Sequence, residues 1–362
     1  MQPVQTGWKR GDDREELVNR EWLVTNGLGG YAAGTIGGAC TRRFHGKLIA
    51  AMPAPLGRTM MLNHLAEWLT DSSGRELKLS GDEHGKREVT YPDLDFFEEF
   101  VLECGMPVWR YANDQLELEK RVVMPYGQNT TYVIYRLLRG GDDVTLNLRP
   151  AVNFRPHEGL LTDDTQCTVR ANGREIEIDE SPEFPTLRIA LLGSNARLEE
   201  HPVKVEHVIY RLERSRGYEW EGPLWSPGVI RIALKVGEDA GIVASVEPWD
   251  VVHSMDVAQV LDADRTRRNK MLEKAGVDDD FAAQLVLAAD QFLIRPTTRS
   301  ADEARIAAAG DTPRTVIAGY HWFTDWGRDT MISLEGLTLC TGRYREAGAI
   351  LRTFSNYVRD GL

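Results

Sequence analysis

Between Gly319 and Thr330 the chain reads Gly-Tyr-His-Trp-Phe-Thr-Asp-Trp-Gly-Arg-Asp-Thr. Four aromatic rings (Tyr320, Trp322, Phe323, Trp326), two carboxylates (Asp325, Asp329) and the Arg328 guanidinium fall in this one short run. Such a set can hold a sugar. A guanidinium donates to hydroxyl oxygens, a carboxylate accepts from hydroxyls, and a flat ring covers the apolar face of a pyranose. The same residues fit a plainer arrangement: an aromatic-rich helix N-terminus, with Asp325 as its cap and Arg328–Asp329 as a surface ion pair. Composition alone does not separate the two.

Other residues with chemical potential lie near the start. Asn26 to Gly38 is rich in glycine, yet it lacks the Gly-Lys-Ser/Thr ending of a phosphate loop and opens no obvious helix. Its glycines read as turn residues and as places of close backbone approach. Arg42, Arg43 and His45 either reach substrate from a loop or tie two parts of the chain together through carboxylates, and the structural role is the preferred one. His45 has no second His or Cys nearby in sequence, so no metal site is expected. Cys40, Cys104, Cys167 and Cys340 show no Cys-x-x-Cys spacing and read as buried free thiols of a reducing compartment. No cofactor is expected.

The elements that must position these groups change character along the chain. From Trp22 to about Asp250 the pattern alternates with period two. Leu116, Leu118, Lys120 and Val122 face one way; Glu117, Glu119 and Arg121 face the other. Thr130–Leu138 and Val144–Leu148 continue it, and the three runs predict an antiparallel meander. Further strands are expected at Cys167–Asp179 around an Asn172-Gly173 hairpin, Thr186–Leu192, Val203–Glu213, Val229–Val236 and Ile242–Val246. After Trp249 the apolar residues recur at helical spacing. Helices are predicted from Phe281 to Leu293, from Arg328 to Cys340 and from Tyr344 to Val358, the last two joined through Thr341-Gly342-Arg343. The expected architecture is a large antiparallel β-sandwich over 1–250, a charged linker over 251–280 and a helical region over 281–362.

The chain has 362 residues with a formal charge of −12, and its pI is about 5.3. That charge repels phosphate backbones, so nucleic acid is a poor partner, whereas a neutral ligand meets no such penalty. The N-terminus is polar, without the apolar core of a signal peptide. No run approaches the roughly 18 apolar residues of a membrane span. No membrane partner and a cytoplasmic location are therefore expected.

The run Gly319 to Tyr344, GYHWFTDWGRDTMISLEGLTLCTGRY, resembles the opening of the catalytic domain of bacterial and archaeal amylo-α-1,6-glucosidases, the glycogen debranching family. Glu21–Tyr31, EWLVTNGLGGY, and Thr41–Leu48, TRRFHGKL, are similar to signatures of that family's N-terminal domain. The resemblance covers nearly the whole chain from about residue 21. It implies a β-sandwich followed by an (α/α)₆ six-hairpin barrel, and hydrolysis of the single α-1,6-linked glucose left at a trimmed branch of glycogen or limit dextrin. Branched α-glucan is then the expected partner.

By resemblance, Trp326, Arg328 and Asp329 bind the glucose ring, Asp325 orients Arg328, and Tyr320 belongs to the same substrate surface. Arg42, Arg43 and His45 become substrate or interdomain contacts. Glycoside hydrolysis needs an acid and an opposed base or nucleophile. The family places that pair in later hairpins, so the pair is expected beyond Leu362 and the chain reads as a truncated, inactive form. The alternatives are a non-catalytic α-glucan-binding module and another six-hairpin glycosidase of glucoamylase or trehalase type.

Overall fold

The structure is a computed structural model that describes residues 7–85, 88–141, 143–161, 165–298 and 300–358. Its first two thirds are three sheets, all of whose strand pairs are antiparallel. The largest has nine strands, in the order Trp8–Lys9, Phe97–Glu103, Met106–Ala112, Glu117–Val123, Thr130–Arg139, Asp239–Ser245, Leu187–Leu192, Glu175–Asp179 and Thr168–Asn172. A five-stranded sheet runs Arg197–Ile209, Glu221–Ala233, Thr145–Ala151, His64–Thr70, Glu76–Lys78. A second runs Arg155–Pro156, Arg58–Leu62, Gly46–Ala51, Tyr31–Thr35, Glu21–Thr25. One continuous core takes side chains from all three, among them Trp22, Leu48, Leu69, Trp109, Leu118, Leu148 and Ile232. These are the large antiparallel sheets that the period-two alternation predicts.

Period-two alternation explains the strands but not their partners. Thr130–Arg139 pairs with Glu117–Val123 on one side and with Asp239–Ser245 on the other. Thr145–Ala151 is not the next strand of that meander, because it pairs with Glu221–Ala233 and His64–Thr70. The chain leaves the first sheet after Gly140-Gly141, and Leu146 and Leu148 enter the common core from another sheet. Alternation records which face of a strand is buried, and both arrangements bury the same face. A second correction concerns 203–213: the strand is Arg197–Ile209, and Arg211–Ser215 is a short helix with Glu213 buried in it. The 172–173 hairpin forms, with Gly173 opening a two-residue loop at φ 61°.

The inward place of Lys120 needs a partner, and the structure supplies one. Its Nζ lies 2.6 Å from both oxygens of Glu67, which comes from the His64–Thr70 strand, and 4.6 Å from the centre of the Trp109 ring. Burial pulls the ammonium below its ordinary pKa while Glu67 pushes it back up. For Glu67 burial acts upward, and Lys120 outweighs it to leave the carboxyl below the usual range.

The stretch 251–280, expected as a charged linker, is largely helix. Val257–Ala275 begins with a capping box, Asp256 accepting from the Gln259 N–H and the Gln259 side chain accepting from the Asp256 N–H, and ends at Gly276 in the left-handed conformation. Most of its charges lie on its outer faces, but Asp264 is buried and paired with Arg268. The region 281–362 is not helical throughout. Asp280–Phe292 stops because Leu293–Ile294 turns extended and pairs with Thr315–Val316. A helix at Ser300–Ala308 follows, and Gly327–Leu334 continues as the π-helix Glu335–Leu339. The turn at Gly342 (φ 71°) leads to Tyr344–Ser355. This makes one helical hairpin.

Asp290 of the first of these helices ties the group together. Its two oxygens lie 2.7 Å from Arg267 and 2.7 Å from Arg343. Ile332 is 78% exposed and Leu351 48%, whereas Ile350 is fully buried against Leu293 and Val316. The four cysteines are free, and Cys104 and Cys340 are exposed rather than buried. Cys104 occupies the hairpin turn before Met106, and Cys340 closes the π-helix. Among the described residues no helix is long and apolar enough to cross a membrane.

Candidate functional site

The aromatic run forms a folded loop between the Thr315–Val316 strand and the Gly327–Leu334 helix. Ala318 N–H donates to Thr324 O and Phe323 N–H to Gly319 O, which closes the loop on itself. Asp325 pairs by backbone with Ile317 and accepts from the Thr315 hydroxyl at 3.0 Å. Asp325 is not the helix cap: the cap position is Trp326, in extended conformation, with no side-chain cap bond. Trp326 and Phe323 are about half exposed, with ring centres 6.1 Å apart at 83°.

Arg328 is open to solvent. Its guanidinium lies 5.9 Å over the Trp326 ring and 3.5 Å from Asp329 Oδ2. Its carboxylate partner at that distance is Asp329. That Asp329 oxygen is shielded from solvent and has no hydrogen bond among the described residues. The exposed Arg328 guanidinium therefore stands beside Asp329, whose Oδ2 it meets as an ion pair, and beside a half-exposed indole, at the start of a helix.

Tyr320 is spent differently. Its hydroxyl donates to Gln291 O at 3.1 Å, and its ring packs edge-on to Tyr31 and against Phe292. The structure places it in the packing beneath the loop rather than on its surface.

The loop rests on the sheets, and several of the residues it rests on belong to the N-terminal signatures. Arg42 donates to Glu21 at 2.6 Å and lies 5.7 Å from the Trp322 ring centre. Arg216 covers the same ring at 4.1 Å, and Phe44 meets it edge-on at 5.9 Å. Arg43 N–H donates to Glu213, and its guanidinium reaches Gly159 O and Glu219 at 3.4 Å. His45 packs edge to face with His321 at 5.4 Å. Arg42 and His45 thus lie at the contact between the loop and the sheets, whereas Arg43 is held within the sheet region. Below them, Arg58 donates to the carbonyls of His321 and Phe323, and His157 Nε2 donates to His321 O at 3.2 Å.

One cluster here has the donor count of a cation site. Single ligand atoms of Glu21, His45 and His321 lie within 4.8 Å of one another. The sequence argument that no second histidine is near His45 is corrected by the fold, which brings His321 across. The protons, however, are arranged for hydrogen bonding. Arg42 N–H points to His45 Nδ1 at 3.4 Å, which puts the ring proton on Nε2, 3.2 Å from Glu21 and poorly aligned with it. The Arg42 guanidinium occupies the same Glu21 oxygen. Burial raises the Glu21 carboxyl, but His45 and Arg42 outweigh it and bring it down to about 2.

With this geometry in place, comparison with known proteins gives a consistent result. The family model described as "Glycogen debranching enzyme N terminal" matches residues 20–240, more than half of the chain. The chain belongs to the glycogen debranching enzyme family. A second model, "Amylo-alpha-1,6-glucosidase", matches residues 287–362. Among solved structures, the chain is similar to a bacterial glucoamylase crystallised with acarbose, at 10% identity and a TM-score of 0.38. That match covers 80% of this chain and 42% of the glucoamylase, so the chain spans less than half of that protein's length.

In this debranching-family chain the two signatures quoted from the sequence meet in space, at the Arg42–Trp322 and His45–His321 contacts. Sequence reasoning missed Arg58, His157 and Arg216. Arg58 and His157 sit on or beside short strands in otherwise ordinary runs, and only the fold reveals what they face. Arg216 had a faint signal, in a basic Arg211–Arg216 segment next to Trp220.

Proposed function

We propose that this chain supplies the glucan-binding part of a debranching α-1,6-glucosidase. Trp326, Arg328 and Asp329 hold the single α-1,6-linked glucose left on a trimmed branch. The observation that supports this best is the exposed Arg328 guanidinium set between the Asp329 carboxylate and the half-exposed Trp326 ring. A surface ion pair made for stability alone is worth little, whereas donor, acceptor and ring together match a pyranose hydroxyl pair and its apolar face. Membership in the family supports a glucan as the ligand. Asp325 and Tyr320 serve this reading from beneath the surface: Asp325 through its bond to Thr315, and Tyr320 through its bond to Gln291. The acid and base of hydrolysis are not assigned to residues of this chain.

The test is calorimetric binding of a maltooligosaccharide that carries one α-1,6-linked glucose. Arg328→Ala and Asp329→Ala should each weaken binding by about ten- to a hundred-fold, the range for a hydrogen bond to a charged group. Trp326→Ala should do so as well, and none of the three should move the melting temperature by more than a few degrees. Wild-type affinity in all three variants would refute the assignment. Equal affinity for a linear maltooligosaccharide would leave glucan binding standing and remove the branch specificity.

A further inference from the structure

We propose that Arg58, with His157 beside it, is the positioning residue of the binding strip: it fixes the loop that ends in Trp326-Gly327-Arg328-Asp329. The identity of the ligand in this proposal rests on the function proposed above; the positioning itself does not.

Arg58 begins the strand Arg58–Leu62 and is 8% exposed. Its Nη1 donates to His321 O at 2.9 Å, and its Nη2 donates to Phe323 O while lying 3.5 Å from Trp322 O. Three successive carbonyls thus converge on one planar fork. The His321 carbonyl accepts from His157 as well. No backbone N–H among the described residues takes these three carbonyls. Left without Arg58, they would form a cluster of aligned, poorly solvated dipoles, and the loop would have to turn them outward.

The guanidinium also lies 5.8 Å over the Tyr320 ring. Among the described residues no carboxylate pairs with it. A buried cation without a counter-ion is a costly way to fill a core. Its charge is spent on the loop, on these carbonyls and the Tyr320 ring, which is what a positioning role requires. Only Thr324 and Asp325 separate the anchored Phe323 from Trp326. A tilt of the anchored segment therefore moves the indole and the Arg328–Asp329 pair with it. Lysine cannot replace this fork, since an ammonium is a point donor on a flexible stem and cannot span three carbonyls.

Arg58→Lys and His157→Gln, made in the 362-residue chain, test the idea by amide exchange and by binding of the same singly branched oligosaccharide. In Arg58→Lys the amides of 319–328 should exchange at least about tenfold faster, as expected for a locally opened segment, while those of Gly46–Leu62 keep wild-type protection. Oligosaccharide affinity should fall about tenfold in parallel. His157→Gln should do the same in smaller measure, and it keeps the proposal open to test should the lysine variant lose its sheets too. Wild-type protection of 319–328 in either folded variant would overturn the proposal. So would wild-type affinity in an Arg58→Lys chain whose loop had opened. Trp326→Ala separates the two readings: it should lose affinity with loop protection intact. If instead Trp326→Ala binds normally, the ligand assignment falls while the exchange result still decides the role of Arg58.

Discussion

Single residues show where the sequence speaks clearly and where it is silent. The set proposed to hold a sugar, Trp326, Arg328 and Asp329, is legible because the three lie within four positions, and adjacency in sequence is adjacency in space. Arg58 and His321 are separated by 263 positions, and nothing in either run announces the other. Lys120 lies between these cases. Alternation placed it inward, but its partner, Glu67, is on a strand whose pairing alternation could not give. That buried pair allows a prediction. Lys120→Ala or Glu67→Ala strands one charge inside the core and should cost about 3–5 kcal/mol, whereas Lys120→Met combined with Glu67→Leu should cost far less or even stabilise. Urea denaturation of the two single variants and the double variant gives the comparison. A double variant as unstable as the sum of the singles would show that the Trp109 cation–π contact, not stranded charge, holds the region.

Elements were legible to the extent that their signals are local. The hairpin at Gly173, the helix end at Gly342 and the helix Tyr344–Ser355 follow from turn chemistry and apolar spacing. The helix Val257–Ala275 was masked by its composition: its acidic and basic side chains sit on a largely solvated cylinder, so its apolar stripe is thin. The Asp256 and Gln259 capping box was the available signal. What joins that helix to the next two elements is not periodic at all. Asp290 meets Arg267 of one helix and Arg343 of the hairpin turn. Burial pushes its carboxyl up, yet the two guanidinium groups outweigh burial and hold it below the ordinary aspartate value. Asp290→Asn should therefore cost about 3–5 kcal/mol, because it leaves two partly buried cations facing each other. The loss should appear first as faster amide exchange in 257–275 and 344–355, with the sandwich strands unaffected. If the strands lost protection to the same degree, the helical layer would be one cooperative unit with the sandwich rather than a separable one.

At the scale of the whole molecule, the histidines at the contact between loop and sheets make stability depend on pH with a definite sign. Burial brings His157 and His321 down to about 3, helped in turn by the Arg58 charge beside His157 and by His45 beside His321. His64, packed against Cys40, is brought down to about 4 for the same first reason. In the unfolded chain each titrates near its ordinary value of about 6.5. Between about pH 3 and pH 6.5 the unfolded chain therefore binds protons that the folded chain refuses. A state that binds more protons gains as pH falls, so stability is fully present above about 6.5 and is lost progressively below it. Each such group contributes a slope approaching about 1.4 kcal/mol per pH unit well below 6.5. Glu21 adds to the same loss only lower down, between its ordinary value and about 2. Denaturation midpoints measured from pH 8 to pH 5 should thus be flat at first and then fall steeply. His321→Asn should flatten the fall by about one proton's worth, since it removes a group that the fold keeps neutral. It should do so even though it lowers stability at pH 8 by disturbing the contact with His45. A chain equally stable at pH 5 and pH 8 would mean that these imidazoles are solvated and protonated in the folded state. That result would also remove the tight seating of the 319–326 loop on the sandwich, on which the placement of Trp326, Arg328 and Asp329 depends.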